Sequence, residues 1–199
     1  MYSKHLYAAL LALTVFALCT GSPALAHSGD AAAGGFVTGF LHPILGWDHV
    51  IAMVAVGLWG AFLGAPAVWL LPVTFPLVMA VGGMLGAAGV PLPGIETGIA
   101  ASGLVIGLAV LFAARPPLPV AAVIVAVFAI FHGHAHGSEM PGAVSPLAYA
   151  GGFVIGTGLL HLCGVAFGML TRSRPGTLAV RSAGGVIAAL GAGFLTGAL

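Results

Sequence analysis

The chain of 199 residues carries too little charge for an ordinary water-soluble domain. It has five Lys and Arg and four Asp and Glu residues, is 60% hydrophobic, and has a mean hydropathy of +1.18. Apolar stretches recur along it, and about 20 such residues cross the hydrocarbon core of a bilayer. The expectation is an all-α, polytopic membrane helix bundle whose first partner is the lipid bilayer. A net charge of +1 and the absence of a basic cluster argue against nucleic acid.

Residues 1–26 read as a cleavable signal peptide. Lys4 supplies the positive n-region, Leu6 to Cys19 is a short apolar h-region, and Ala24-Leu25-Ala26 is an A-x-A cleavage site. The alternatives are an uncleaved anchor and a lipoprotein leader ending at Cys19, which bulky Leu18 disfavours. Cleavage would start the mature protein at His27, pairing a free α-amine with an imidazole. Residues 27–199 then form a single domain of about six spans, near 34–62, 66–88, 97–114, 118–137, 145–170 and 178–198. The breaks carry turn chemistry, as in Gly64-Ala-Pro66, Val90-Pro-Leu-Pro-Gly94 and Arg172-Ser-Arg-Pro-Gly176. With the mature N-terminus outside, Arg115, Arg172, Arg174 and Arg181 fall on the cytoplasmic side, and Asp30, Glu96 and Glu139 fall outside, satisfying the positive-inside rule. That topology expects the bacterial inner membrane and a periplasmic N-terminus. Small-residue pairs such as Gly60/Gly64, Gly82/Gly86, Gly103/Gly107, Gly152/Gly156 and Gly164/Gly168 read as helix-packing faces, and a homo-oligomer is compatible with them. Cys163, flanked by apolar residues, reads as a small core residue.

Against this background stand two histidine-rich strings, His42-Pro-Ile-Leu-Gly-Trp-Asp48-His49 and Phe131-His132-Gly-His134-Ala-His136-Gly-Ser-Glu139. Ionisable groups in a span are costly and mark function, and imidazole with carboxylate is ligand chemistry for a borderline divalent metal. On one continuous helix His42 and His49, seven apart, would share a face. Asp48 could ligate, or accept the second N–H of a ligating imidazole and fix its tautomer. Pro43 would disturb the helix and free a carbonyl. His132 and His136, at i and i+4, can hold one ion, and Glu139 follows one turn on. His134 points to another face. The expected metal site is His42, Asp48, His49, His132, His136 and Glu139. Auxiliary candidates are His27, Met53, Glu96, Ser102, His134 and His161. Glu96 alone reads as an interfacial loop acid.

The two strings resemble the HupE/UreJ family of nickel and cobalt permeases, whose signatures are HX5DH in the first span and FHGX[AV]HGXE near the fourth. His42, Asp48 and His49 fill the first. Phe131, His132, Gly133, Ala135, His136, Gly137 and Glu139 fill the second, with His134 at its variable position. The stretch from Gly94 to Ser102 also resembles the family's third span. The resemblance implies uptake of a divalent metal across the inner membrane, Ni2+ first, with Co2+, Cu and Zn2+ left open, in support of hydrogenase or urease maturation.

No GxxxxGK[ST] phosphate loop occurs, so the chain is not an ATPase of that type. A divalent ion moving inward down a potential of about 100 mV gains about 4.6 kcal/mol, enough for a uniporter. Coupling to protons through Glu96, Glu139 or a histidine is the other option. A permease is not an enzyme. The competing reading is a rhomboid-like intramembrane serine protease. It would use Ser102, which precedes Gly103, and His161, which opens HxxGxxxG. A nucleophile needs its base within hydrogen-bond reach, so these two spans would have to touch.

Overall fold

The computed structural model describes residues 35–140 and 145–199 as helices and short connections. The leader, its cleavage site, His27 and Asp30 lie outside the described residues. In chain order the helices are α1 (Gly35–Leu45), α2 (Trp47–Leu63), α3 (Ala67–Ala87), α4 (Ile95–Leu111), α5 (Leu118–Glu139), α6 (Pro146–Gly168), and α7 (Arg174–Thr196), with a 3-10 turn at Met169–Arg172 before α7. No strand occurs among the described residues. The chain is an all-helical, multi-pass membrane protein. Four helices, α3, α5, α6 with its 3-10 turn, and α7, are long and apolar enough to cross a bilayer. The α1–α2 pair makes a fifth span if taken together. At 17 residues, α4 is shorter than the usual span.

The first span, expected near 34–62 with a disturbance at Pro43, is more sharply broken than that. It breaks at Gly46, and α1 and α2 meet at 78°. Pro43 has no N–H to donate into the helix, and Gly46 takes an extended conformation, φ −89° and ψ 112°. The Gly46 N–H still reaches the His42 carbonyl at 3.3 Å, and the Val50 N–H reaches the Gly46 carbonyl at 2.9 Å, so the joint keeps backbone partners. A second difference lies before α7. Ser173 and Pro175, expected in a turn, start the helix: the Ser173 hydroxyl caps the Gly176 N–H at 3.2 Å, and proline suits the first turn. Ser145 and Pro146 open α6 in the same manner.

Glycine sets how the helices pair. A Cβ on Gly82 or Gly86 would meet the α5 backbone, and one on Gly133 or Gly137 would meet the α3 backbone. The same relation holds between Gly107 and α7, between Gly191 and α4, between Gly152 and α1, and between Gly164 and α2. Without side chains the paired backbones approach closely, which is how helices associate where no hydrophobic force separates protein from solvent. Gly60/Gly64 is the exception. Gly64 ends α2 at φ 83°, with nothing near the position of a Cβ, so it serves the turn rather than a packing face. The neighbours show relative direction: α3 runs parallel to α5, α2 parallel to α6, and α4 antiparallel to α7. This is the alternation that successive crossings of a membrane require.

Charge is sorted to the two ends. Arg115 lies over the Phe62 ring at 4.9 Å, near the end of α2. Arg181 donates from Nε to the Leu111 carbonyl at 2.8 Å, serving the C-terminus of α4. Arg172 and Arg174 occupy the α6–α7 turn. At the opposite end Asp48 and Glu96 line one cavity of about 480 Å³, and Glu139 ends α5. Cys163 is exposed rather than in the core, because it faces outward from α6.

Two alanine substitutions on α6 test the packing. Gly164→Ala places a methyl against the Val54 carbonyl of α2, whereas Gly158→Ala meets nothing. Overpacking of this kind costs about 1–3 kcal/mol, while alanine in an open helical position stabilises by about 0.5–1 kcal/mol. In detergent, Gly164→Ala should lower the thermal midpoint and Gly158→Ala should hold or raise it. Equal midpoints would refute close α2–α6 contact.

Candidate metal site

The bend at Gly46 builds the site. Along a continuous helix His42 and His49 would be separated by about 10 Å of rise. Their ring centroids are instead 6.0 Å apart, because α1 turns back where α2 begins. The shared helix face expected for them is therefore replaced by a shared corner. The last turns of α5 complete the group. His136 packs 4.6 Å from His42 and 4.5 Å from His49, and His132 packs 4.9 Å from His49. Four imidazoles from two sequence strings thus meet inside the bundle, with His49 between the others. Gly46 also keeps the corner open. A Cβ there would stand 3.1 Å from both Asp48 Oδ1 and His49 Nδ1.

Two of the rings are oriented by a second group. His49 Nδ1 donates to Asp48 Oδ1 at 2.8 Å, and the His49 backbone N–H donates to the same oxygen at 2.9 Å. A carboxylate oxygen can only accept here, so the neutral His49 carries its proton on Nδ1 and leaves a lone pair on Nε2. Asp48 thus stands in the geometry of an orienting group for His49. Ser102 acts similarly on His132. Its hydroxyl donates to the Ile99 carbonyl at 2.6 Å, so it accepts from His132 Nε2 at 2.9 Å. The His132 lone pair is then on Nδ1. Outer partners of this kind fix tautomer and ring direction in histidine metal sites. The ring nitrogens left over, His49 Nε2, His132 Nδ1 and both nitrogens of His136, are buried with no hydrogen-bond partner among the described residues. Buried polar atoms normally have partners. Four orphaned nitrogens in one cluster suit a cation.

Three of these ring pairs pack edge to face and the His49–His136 pair is tilted at 52°, and among the described residues no three ligating side chains are already arranged to hold an ion. Closure around a cation therefore requires the imidazoles to turn about their side-chain torsions.

The remaining candidates are spread around this centre. Glu139 is exposed at the end of α5. Glu96, exposed in the first turn of α4, lines the 480 Å³ cavity together with Asp48. His134 turns away: its Nε2 donates to the Val90 carbonyl at 2.6 Å and ties the α3–α4 connection to α5. Met53 is fully buried in α2, one turn beyond His49. His161 and Ser102 do not form a dyad. Ser102 is engaged by His132, while His161 packs against Phe75 at 5.5 Å and has no hydrogen-bond partner among the described residues. The aromatic walls went unread in the sequence. Phe153 lies 4.2 Å from the His136 ring, Tyr149 lies 6.2 Å from His42, and Phe75 lies 5.4 Å from His132. The four-residue spacing of Tyr149 and Phe153 was the available signal.

Comparison with known proteins agrees with the two strings. A family model described as HupE / UreJ protein matches residues 13–194. Protein HupE of Rhizobium leguminosarum bv. viciae is 44% identical over 184 residues, which cover 92% of this chain and 96% of that protein. No solved structure matches the chain.

Proposed function

The chain belongs to the HupE / UreJ family, and from that premise we propose that it is a permease carrying a divalent transition metal, nickel first and cobalt second, across the bacterial inner membrane. The observation that carries this reading is the meeting of His42, His49, His132 and His136 with four unpartnered ring nitrogens among them. Imidazole suits nickel, cobalt, copper and zinc, and geometry and ligand type discriminate between them. Asp48 and Ser102 orient His49 and His132, and Glu96 and Glu139 present carboxylates at the outer end. The mature N-terminus is periplasmic in this reading, so the acidic end faces the source of metal and the arginine end faces the cytoplasm. The metal would serve a nickel enzyme such as a hydrogenase or urease. The membrane potential suffices as driving force, since two charges moved through about 100 mV release about 4.6 kcal/mol.

Purified protein in proteoliposomes, offered a mixture of Ni2+, Co2+, Cu2+ and Zn2+ under an inside-negative potential, tests this directly. Nickel should accumulate. His49→Ala and His132→Ala should each abolish accumulation while the protein remains monodisperse. Asp48→Ala and Ser102→Ala should weaken binding by about 10–100-fold, as expected when an orienting partner is lost. Uptake that survives both histidine substitutions would overturn the proposal.

Acidity gives a second expectation. A metal binds the neutral imidazole, so protons compete for the same nitrogens. Initial uptake at constant membrane potential should fall as external pH is lowered, steeply because several imidazoles share the ion. A rate that rises towards pH ~5, or that stops when only the proton gradient is collapsed, would replace the uniporter with a proton-coupled carrier.

A further inference from the structure

Resting on the transport reading, we propose that Thr157 and His161 of α6 form a second, inner cation station on the path leaving the histidine cluster. Thr157 is 0% and His161 1% exposed, yet the threonine hydroxyl and both imidazole nitrogens lack hydrogen-bond partners among the described residues. Leaving such groups unsatisfied in a packed apolar interior is costly. Three unsatisfied atoms within one helical turn imply a polar guest that occupies the place for part of a cycle.

The location identifies the guest. Tyr149, Phe153, Thr157 and His161 recur at every fourth position of α6 and so form a stripe along it. The first two carry the rings that wall His42 and His136. Thr157 and His161 continue the same stripe towards the arginine end, His161 about 12 Å beyond Phe153 along the helix. The Phe75 ring stands between the two levels. It contacts His132 at 5.4 Å and His161 at 5.5 Å, and His132 Nδ1 is itself unpartnered. An ion released from the outer cluster would therefore pass the Phe75 edge and find an imidazole and a hydroxyl next. An ion leaves a tight site more readily when a second, weaker site takes it up, and one imidazole with one hydroxyl is a weaker set than four imidazoles.

The experiment separates this station from the outer cluster. In proteoliposomes, His161→Phe and Thr157→Val should each slow nickel uptake by about tenfold or more. Equilibrium nickel binding measured by calorimetry on the same proteins should change less than about threefold, because the outer cluster is intact. A second readout reports occupancy without relying on rate. In a background carrying Cys19→Ser and Cys163→Ser, His161→Cys puts a thiol at the station. Loading with Co2+ should then give a thiolate-to-cobalt charge-transfer band in the near ultraviolet that the background protein lacks. Uptake within about twofold of wild type in both His161→Phe and Thr157→Val, or no charge-transfer band while His49-dependent uptake persists, would overturn the inner station and leave the outer site standing. Uptake insensitive to His49→Ala would instead remove the transport reading on which the station rests.

Discussion

An imidazole buried among hydrocarbon needs a partner for each ring nitrogen, and that requirement organises the interior of this protein. Water cannot supply the partner inside a packed bundle, and an unsatisfied buried polar atom is costly. The chain meets part of the requirement itself. Asp48 takes one nitrogen of His49, Ser102 takes one of His132, and the Val90 carbonyl takes one of His134. The first two of these bonds leave a lone pair at the four-ring cluster, whereas the third anchors a connection and leaves His134 Nδ1 buried without a hydrogen-bond partner among the described residues. In the proposed site, a histidine with one nitrogen held and the other facing the cluster is oriented to ligate.

The cluster depends in turn on how the backbone is allowed to run. Two features with no ligand chemistry set the geometry, the break at Gly46 and the glycine faces of the helices. The break turns α1 against α6 while α2 continues along it, so His42 and His49 approach one another from two helices. The glycine face of α5, at Gly133 and Gly137, alternates with His132, His134 and His136. Because those glycines seat α5 on the α3 backbone, His132 and His136 are carried to a fixed place and direction. The string from Phe131 to Glu139 thus carries helix packing and imidazole placement together, in neighbouring residues of one helix.

Much of this was legible in the sequence. The near absence of charge and the recurrence of apolar runs announced a helical membrane bundle, and five of the six expected spans coincide with helices to within a few residues. The two histidine strings stood out because ionisable groups have no idle reason to lie in a span. What escaped was three-dimensional. Periodicity treats Pro43 and Gly46 as irregularities in one helix, since a helical wheel has no means of showing a 78° corner. The hydrogen-bond partner of Ser102 is 30 residues away on another helix, and its resemblance to a protease dyad arose from Ser-Gly and GxxxG spacings that helix packing uses everywhere. Phe75, Tyr149 and Phe153 were invisible as site residues because aromatic side chains in an apolar span look like every other core position.

If imidazoles from both strings bind the same ion, several of them must appear in its coordination sphere. X-ray absorption at the nickel edge of the purified, nickel-loaded protein reads that sphere. The spectrum should show the multiple-scattering pattern of several histidine ligands, weakening in His49→Ala and again in His136→Ala. A coordination sphere of oxygen alone, or an imidazole signal unchanged by either substitution, would contradict a shared site.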